Sequence, residues 1–177
     1  MASTIFIAVI VFIFAFVVLV AMQPKEFVVA RSKKIAASPD TVYSLINDFH
    51  SWEGWSPWAK KDPQMKTKYS GSDAGEGAVY EWWGNKDVGE GRMTILESRP
   101  TELVRIKLEF LKPFKATNEA KFTFEPQGDE TNVTWAMTGD RNFFMKAMGL
   151  FLNMDKMVGP DFEKGLDQLR VLAHAKS

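Results

Sequence analysis

The sequence contains no cysteine, which excludes disulfides, thiolate metal sites and cysteine nucleophiles. Histidine is almost as scarce, with only His50 and His174. Neither stands at a spacing from Asp or Glu that would build a metal site. His174 lies near the C-terminus and is expected to be solvated. A lone His50 is more often structural than catalytic. Net charge is missing too: 22 Lys and Arg balance 22 Asp and Glu. That balance argues against an electrostatically driven nucleic-acid binder. No repeat, low-complexity tract or Gly/Ser-rich linker is present. The glycine-rich stretch GSDAGEG (Gly71–Gly77) lacks the Lys-Ser/Thr ending and the strand–loop–helix context of a phosphate loop. Asn132-Val133-Thr134 fits the glycosylation pattern, but it falls within an expected strand. No catalytic motif, metal site or cofactor is expected from these residues.

Charge is wholly absent from Ala2 to Pro24. Within that stretch Thr4–Met22 reads TIFIAVIVFIFAFVVLVAM, nearly unbroken apolar sequence. A bilayer core of about 30 Å takes roughly 20 such residues as a helix, which satisfies its own backbone hydrogen bonds. Residues 4–22 are therefore expected to be a transmembrane helix. The competing reading is a cleaved signal peptide, with a possible small-residue site after Ala21. Such peptides have a basic leader and an apolar run of about 7–15 residues. Here no Lys or Arg precedes the run, and the run is longer. Lys25, Arg31, Lys33 and Lys34 follow it, against the single Glu26. Basic flanks stay on the cytoplasmic side, so the soluble part is expected in the cytoplasm.

The remaining residues, 25–175, make one domain of ordinary size. Lys25–Ile35 alternates as a strand. Ser38-Pro39-Asp40 supplies an N-cap followed by proline at the first helical position, and Val42, Leu45, Ile46 and Phe49 recur at helical spacing to near His50. Trp52, Trp55 and Trp58 then fall in one irregular segment broken by Gly54, Pro57 and Pro63. From Lys66 to Asp140 apolar and polar residues alternate in successive runs separated by turn residues, the mark of antiparallel strands with one wet face. Residues 142–175 are expected to be helical, interrupted at Gly159-Pro160 and restarted by Pro160. Phe162, Leu166, Leu169 and Ala173 form one apolar stripe after the break. Phe144, Met148, Phe151 and Leu152 form another before it.

This order of elements carries specific residues with it. They include Arg31-Ser32, Ile35-Ala36-Ala37-Ser38-Pro39, Asn47-Asp48, Trp55-Ser56-Pro57-Trp58 and Gly75-Glu76-Gly77. Later matches are Gly89-Glu90-Gly91, Thr134-Trp135 and Gly159-Pro160-Asp161-Phe162-Glu163. With them the chain resembles the START/Bet v 1-like (SRPBCC) superfamily, in particular its polyketide cyclase/dehydrase and lipid-transport-like branch. The resemblance covers nearly all of Phe27–Leu172. It implies an α+β helix-grip fold, a curved antiparallel sheet wrapped around a long C-terminal helix, with a hydrophobic cavity between them. Members bind lipids, sterols or aromatic polyketides, and some are enzymes. An N-terminal membrane helix resembles a recurring bacterial variant, which implies a bacterial inner-membrane location.

The cavity candidates follow from that resemblance. Strand positions expected at the wall are Tyr80, Trp82, Met93, Ile106, Leu108, Phe122, Trp135 and Met137. Trp52, Trp55 and Trp58 would lie near the mouth, as a gate, as a membrane-interface belt or as a plug closing one end of the core. Phe144, Met148 and Phe151, with Met145, Met154 and Met157 nearby, would be the helix side of a pliable pocket or simply core filler. Trp82 and Trp83 are adjacent on a strand, so they face opposite ways. Glu81 and Arg92 fall opposite the Tyr80 and Met93 faces, and Arg141 is a further polar candidate. The expected function is a membrane-anchored binding module for a hydrophobic small molecule or lipid. A cyclase or hydrolase acting on a hydrophobic substrate and a membrane-tethered interaction scaffold are the alternatives. No protein partner is identified.

Overall fold

The structure is a computed structural model that describes residues 2–176. Helix α1 (Ala2–Ala21) comes first. Strand β1 (Glu26–Ile35) and helix α2 (Pro39–Asn47) follow. A short 3-10 turn, Phe49–Gly54, then leads through an irregular stretch into β2 (Lys66–Gly71). The sheet continues with β3 (Ala78–Trp83), β4 (Glu90–Arg99), β5 (Leu103–Lys112), β6 (Ala116–Gln127) and β7 (Glu130–Asp140). Two helices close the chain, α3 (Phe143–Gly149) and α4 (Met154–His174).

The seven strands form one antiparallel sheet in the order β1-β7-β6-β5-β4-β3-β2. Its concave face grips α4, which is the helix-grip architecture. α1 is long and apolar enough to cross a bilayer, and its side chains are almost all exposed. A core helix of that composition would be buried.

Local chemistry accounts for the elements. Ser38 caps α2 by accepting from the Thr41 amide, and Pro39 occupies a first-turn position where its missing N–H costs nothing. The far end of α2 is satisfied by indoles: Trp52 Nε1 donates to the Ile46 carbonyl (2.9 Å) and Trp55 Nε1 to the Leu45 carbonyl (3.1 Å). Carbonyls in the last turn of a helix lack partners within it, so these two tryptophans fix the 3-10 segment against α2.

The helical region after β7 differs from the expectation. The break falls at Leu150–Asn153, and α4 runs unbroken through Gly159-Pro160. Asn142 and Asn153 each cap a helix, accepting from the Met145 and Lys156 amides. The caps set where each helix starts, and burial of the Phe162, Leu166 and Leu169 face overrides the roughly 3 kcal/mol cost of a proline inside α4.

α4 is held to β1 by charge as well as by packing. Arg31 donates to Asp155 (2.7 Å) and to Glu163 (2.6 Å), while Lys33 pairs with Asp167 (2.6 Å). Gly159 leaves room for the Arg31 guanidinium, which a Cβ at this position would strike. The hydrogen bond from Arg31 holds the Asp155 carboxyl below the usual carboxylate range. A group with a lowered folded-state value contributes stability above its unfolded value and loses it as pH falls through the folded one. The stability difference between wild type and Asp155→Asn is thus expected at neutral pH and should close in acid. Urea midpoints across the pH series check this, and an undiminished difference at low pH would contradict it.

Candidate ligand cavity

Strand register sorts the concave face into rows that run across the sheet. The row nearest the α1 end joins Ala116, Phe110, Gly91, Trp82 and Thr67. Next come Phe27, Gly139, Asn118, Leu108, Met93, Tyr80 and Tyr69. The third row is Val29, Met137, Ala120, Ile106 and Ile95. Beyond it lie Arg31, Trp135, Phe122 and Val104. The rows near α1 hold small residues, Gly91, Gly139, Ala116 and Ala120, where the far rows hold Trp135, Phe122 and Phe124. Gly91 must stay small because a Cβ would run into the Trp82 ring and the Glu109 carbonyl.

That gradient in size divides the interior. The far half is filled. Trp55 is fully buried and meets Phe122 (6.1 Å) and Trp135 (5.6 Å) edge-on. Trp135 stacks on Phe162 at 4.0 Å and 6°. The near half is hollow, with a cavity of about 680 Å³. This lies inside the range of about 300–1,000 Å³ for small-molecule sites. The α4 side of the wall is Met154, Val158 and Phe162, spaced by four on one helix face.

Of the residues expected at the wall, Trp52, Trp58, Tyr80, Trp82, Met93, Leu108, Trp135 and Met137 line this cavity. Ile106, Phe122 and Trp55 do not; they are fully buried in the packed core behind it. Of the roles weighed for the three tryptophans, Trp55 takes that of the plug. Phe144, Met148 and Phe151 lie outside the cavity and are exposed. The reason is the chain break at Leu150–Asn153: Phe144 and Met148 belong to α3 and Phe151 to the break itself, so none of them is on the gripped helix. Met154 lines the wall, whereas Met157 is exposed. Arg141 sits over the Phe27 ring at 5.9 Å, away from the cavity.

Several wall residues escaped the sequence reading. Asn118 shares a face with Ala120 and Phe122, and Phe110 shares one with Leu108, so strand alternation could have found both. Met154 and Val158 continue the Phe162 stripe backwards, a signal hidden by reading Pro160 as a restart.

The wall is mainly apolar, with a few polar groups placed along it. Asn118 is buried, and among the described residues its Nδ2 reaches only the Met137 sulfur, at 3.9 Å. Trp135 Nε1 is buried with no acceptor among the described residues. The Tyr80 phenol is held well above its ordinary range, first by burial and then by the nearby Tyr69 and Glu53. It therefore keeps its proton at neutral pH and is suited to donating a hydrogen bond. Tyr69 is shifted the same way, chiefly by burial, and stacks on His50 at 4.1 Å. His50 itself pairs with Asp48 (2.8 Å) and is not part of the wall. Glu81 and Arg92 pair with each other (2.7 Å) on the outer face.

The rim is built from the stretch 59–65, the turn between β3 and β4, and the first turns of α4. Asp62 accepts from the Asn85 amide (2.7 Å), which ties the stretch to the turn. Trp82 Nε1 donates to the Val88 carbonyl (3.0 Å), and Lys61 pairs with Asp161 of α4 (2.8 Å). Of the cavity-lining residues in these segments, Lys60, Pro63 and Asp87 are exposed. Among the described residues no cluster of His, Asp and Glu fits a metal.

Known structures share this architecture at low sequence identity. A crystal structure of a Mesorhizobium loti protein is 14% identical with a TM-score of 0.62, covering 85% of this chain and 99% of its own. A Chromobacterium violaceum protein is 17% identical at a TM-score of 0.59, over 85% of this chain and 98% of its own. A Thermus thermophilus protein is 18% identical at 0.59, over 85% and 99%. At such identities the likeness concerns the fold. No curated protein sequence matches the chain. The sequence profile of the family described as polyketide cyclase / dehydrase and lipid transport matches residues 26–173. With the helix-grip sheet, the gripped α4 and the hollow between them, the chain belongs to that family.

Proposed function

We propose that this protein is a membrane-anchored binding module that holds a hydrophobic small molecule or lipid between the sheet and α4. The hollow half of the concave face carries this reading: a cavity of about 680 Å³ walled by aromatic, Leu, Met and Val side chains, with Asn118 and Tyr80 set among them. An apolar wall with a few placed polar groups fits a ligand with a long apolar body and one polar end. Family membership supports the hydrophobic class of the ligand.

Tyr80, whose burial keeps its phenol protonated, and Asn118 are suited to orient a ligand oxygen by hydrogen bonding, and Glu53, Asp62, Asp87 and Asp161 also line the cavity.

α1 serves as the anchor in this reading, with the soluble part on the cytoplasmic side. Only a few residues separate Ala21 from the start of β1 at Glu26, so the cavity cannot move far from the bilayer.

The test is full-length protein extracted from membranes in mild detergent, followed by mass spectrometry of the intact chain and of its organic extract. The reading predicts a 20.0 kDa chain with one apolar species at about one-to-one stoichiometry. A chain shortened by its apolar N-terminus would overturn the anchor. An extract with no stoichiometric apolar species would overturn the binding role.

A further inference from the structure

The rim of the cavity and the exit of α1 lie at the same end of the sheet. Glu26 of β1 stands opposite Asp140 of β7, beside the start of β6, the end of β5 and the start of β4. α4 begins there too, since its early Asp155 meets Arg31 and its later Asp167 meets Lys33. The Arg141 amide donates to the Lys25 carbonyl (2.7 Å), tying the joint after α1 to the joint before α3. α3 then packs beside α1, whose Val20 is buried.

At this end the surface is apolar where a soluble domain would be polar. Phe144 is 69% exposed and Phe151 79%, flanked by exposed Phe143, Met148 and Leu152. In the turn between β5 and β6, Phe114 is 79% exposed. Lys115 follows Phe114 in the chain and Arg141 and Lys146 flank Phe143 and Phe144, with Glu26 and Asp140 paired opposite each other as the acidic neighbours. Large exposed apolar patches mark a covering partner, and aromatic side chains interspersed with basic ones suit the headgroup boundary of an anionic bilayer.

We infer that α3 and the β5–β6 turn are a second membrane contact, which seats the cavity rim on the lipid surface beside α1. The occupant of this patch is the bilayer, because the patch is continuous with the helix that enters it. The inference rests on the anchored reading of α1 and adds an orientation to it. The ligand then passes between lipid and cavity at the interface, through the gap bounded by 59–65, the β3–β4 turn and the start of α4.

The absence of native cysteine makes the test direct. Single variants Phe12→Cys, Phe144→Cys, Phe151→Cys and Val171→Cys are labelled with an environment-sensitive fluorophore. The full chain is reconstituted in two sets of vesicles of phosphatidylethanolamine and phosphatidylglycerol. One carries a doxyl quencher near the glycerol end of the acyl chain and is read at 144, 151 and 171. The other carries it near the methyl end and is read at 12, which lies near the middle of α1 and so at the bilayer centre. All four sites are exposed, so labelling leaves the core intact. Positions 144 and 151 should be quenched at least roughly twofold more than position 171, as interfacial burial requires. Quenching at 12 without quenching at 144 and 151 would overturn the docked face and leave the anchor standing. A label at 144 or 151 that is shielded from water yet unquenched would assign the patch to a protein partner, such as a second copy, and overturn the inference. Equal quenching at 171 would overturn the orientation. Lack of quenching at 12 would overturn the anchor and the inference together.

Discussion

Trp135→Ala is expected to lower the free energy of unfolding by about 3–5 kcal/mol, the range for truncating a large buried aromatic. The indole is the meeting point of the filled and hollow halves. One face lies on Phe162 at 4.0 Å and Phe122 stacks at 5.0 Å, while Trp52, Trp55 and Trp58 meet it edge-on. Removing it breaks the ring stack that joins α4 to the sheet and takes a partner from each tryptophan of the 52–58 segment. The void would join the existing cavity, where neighbouring side chains have little reason to collapse inward. Trp83→Ala is the control: Trp83 is exposed on the outer face, and a change within about 0.5 kcal/mol is expected. Urea unfolding in detergent, followed by circular dichroism, reads both. A loss below about 1 kcal/mol for Trp135→Ala would contradict the packing described here.

Ala120→Phe is expected to empty the cavity of ligand while the fold remains. Ala120 is buried in the third row, between Met137 and Ile106 in register, and its methyl faces the hollow. A phenyl ring there occupies the space a ligand body would take. Overpacking costs about 1–3 kcal/mol in a dense core, and less where space already exists. The amount of apolar species recovered with the protein should fall by at least about tenfold, equivalent to about 1.4 kcal/mol of lost affinity. Met137→Trp, on the adjacent strand, fills the same space from a different backbone position and should act alike. Unchanged recovery in both folded variants would place the bound species outside this cavity.

The fold was legible because its signals are local and repeated. Period-2 alternation marked every strand from β3 to β7, and the Ser38-Pro39 start marked α2. The inward half of the wall was legible for the same reason: Tyr80, Met93, Leu108 and Met137 stand on buried faces of alternating strands. The hollow itself was harder to read. It arises from which rows receive glycine and alanine, and that depends on register between strands distant in sequence, as Gly91, Gly139 and Ala120 illustrate. The α3 residues illustrate a different limit. Phe144 and Met148 do share one helix, but Phe151 falls in the turn after it: periodicity reports that residues are apolar at helical spacing and is silent on where the helix ends and on what covers it. The two asparagine caps, Asn142 and Asn153, were the signals that separate α3 from α4, and a proline after a glycine drew attention away from them.

The central claim is that an apolar molecule resides in the hollow beside Asn118, Leu108 and Met137. Photo-crosslinking in living cells tests it most directly. A benzophenone amino acid at Leu108 points into the cavity, while the same group at Leu96, exposed on the neighbouring strand, points away from it. Illumination and intact mass spectrometry should reveal a discrete small-molecule adduct at position 108 and none at position 96. The absence of an adduct at 108, or the same adduct at both positions, would contradict the account.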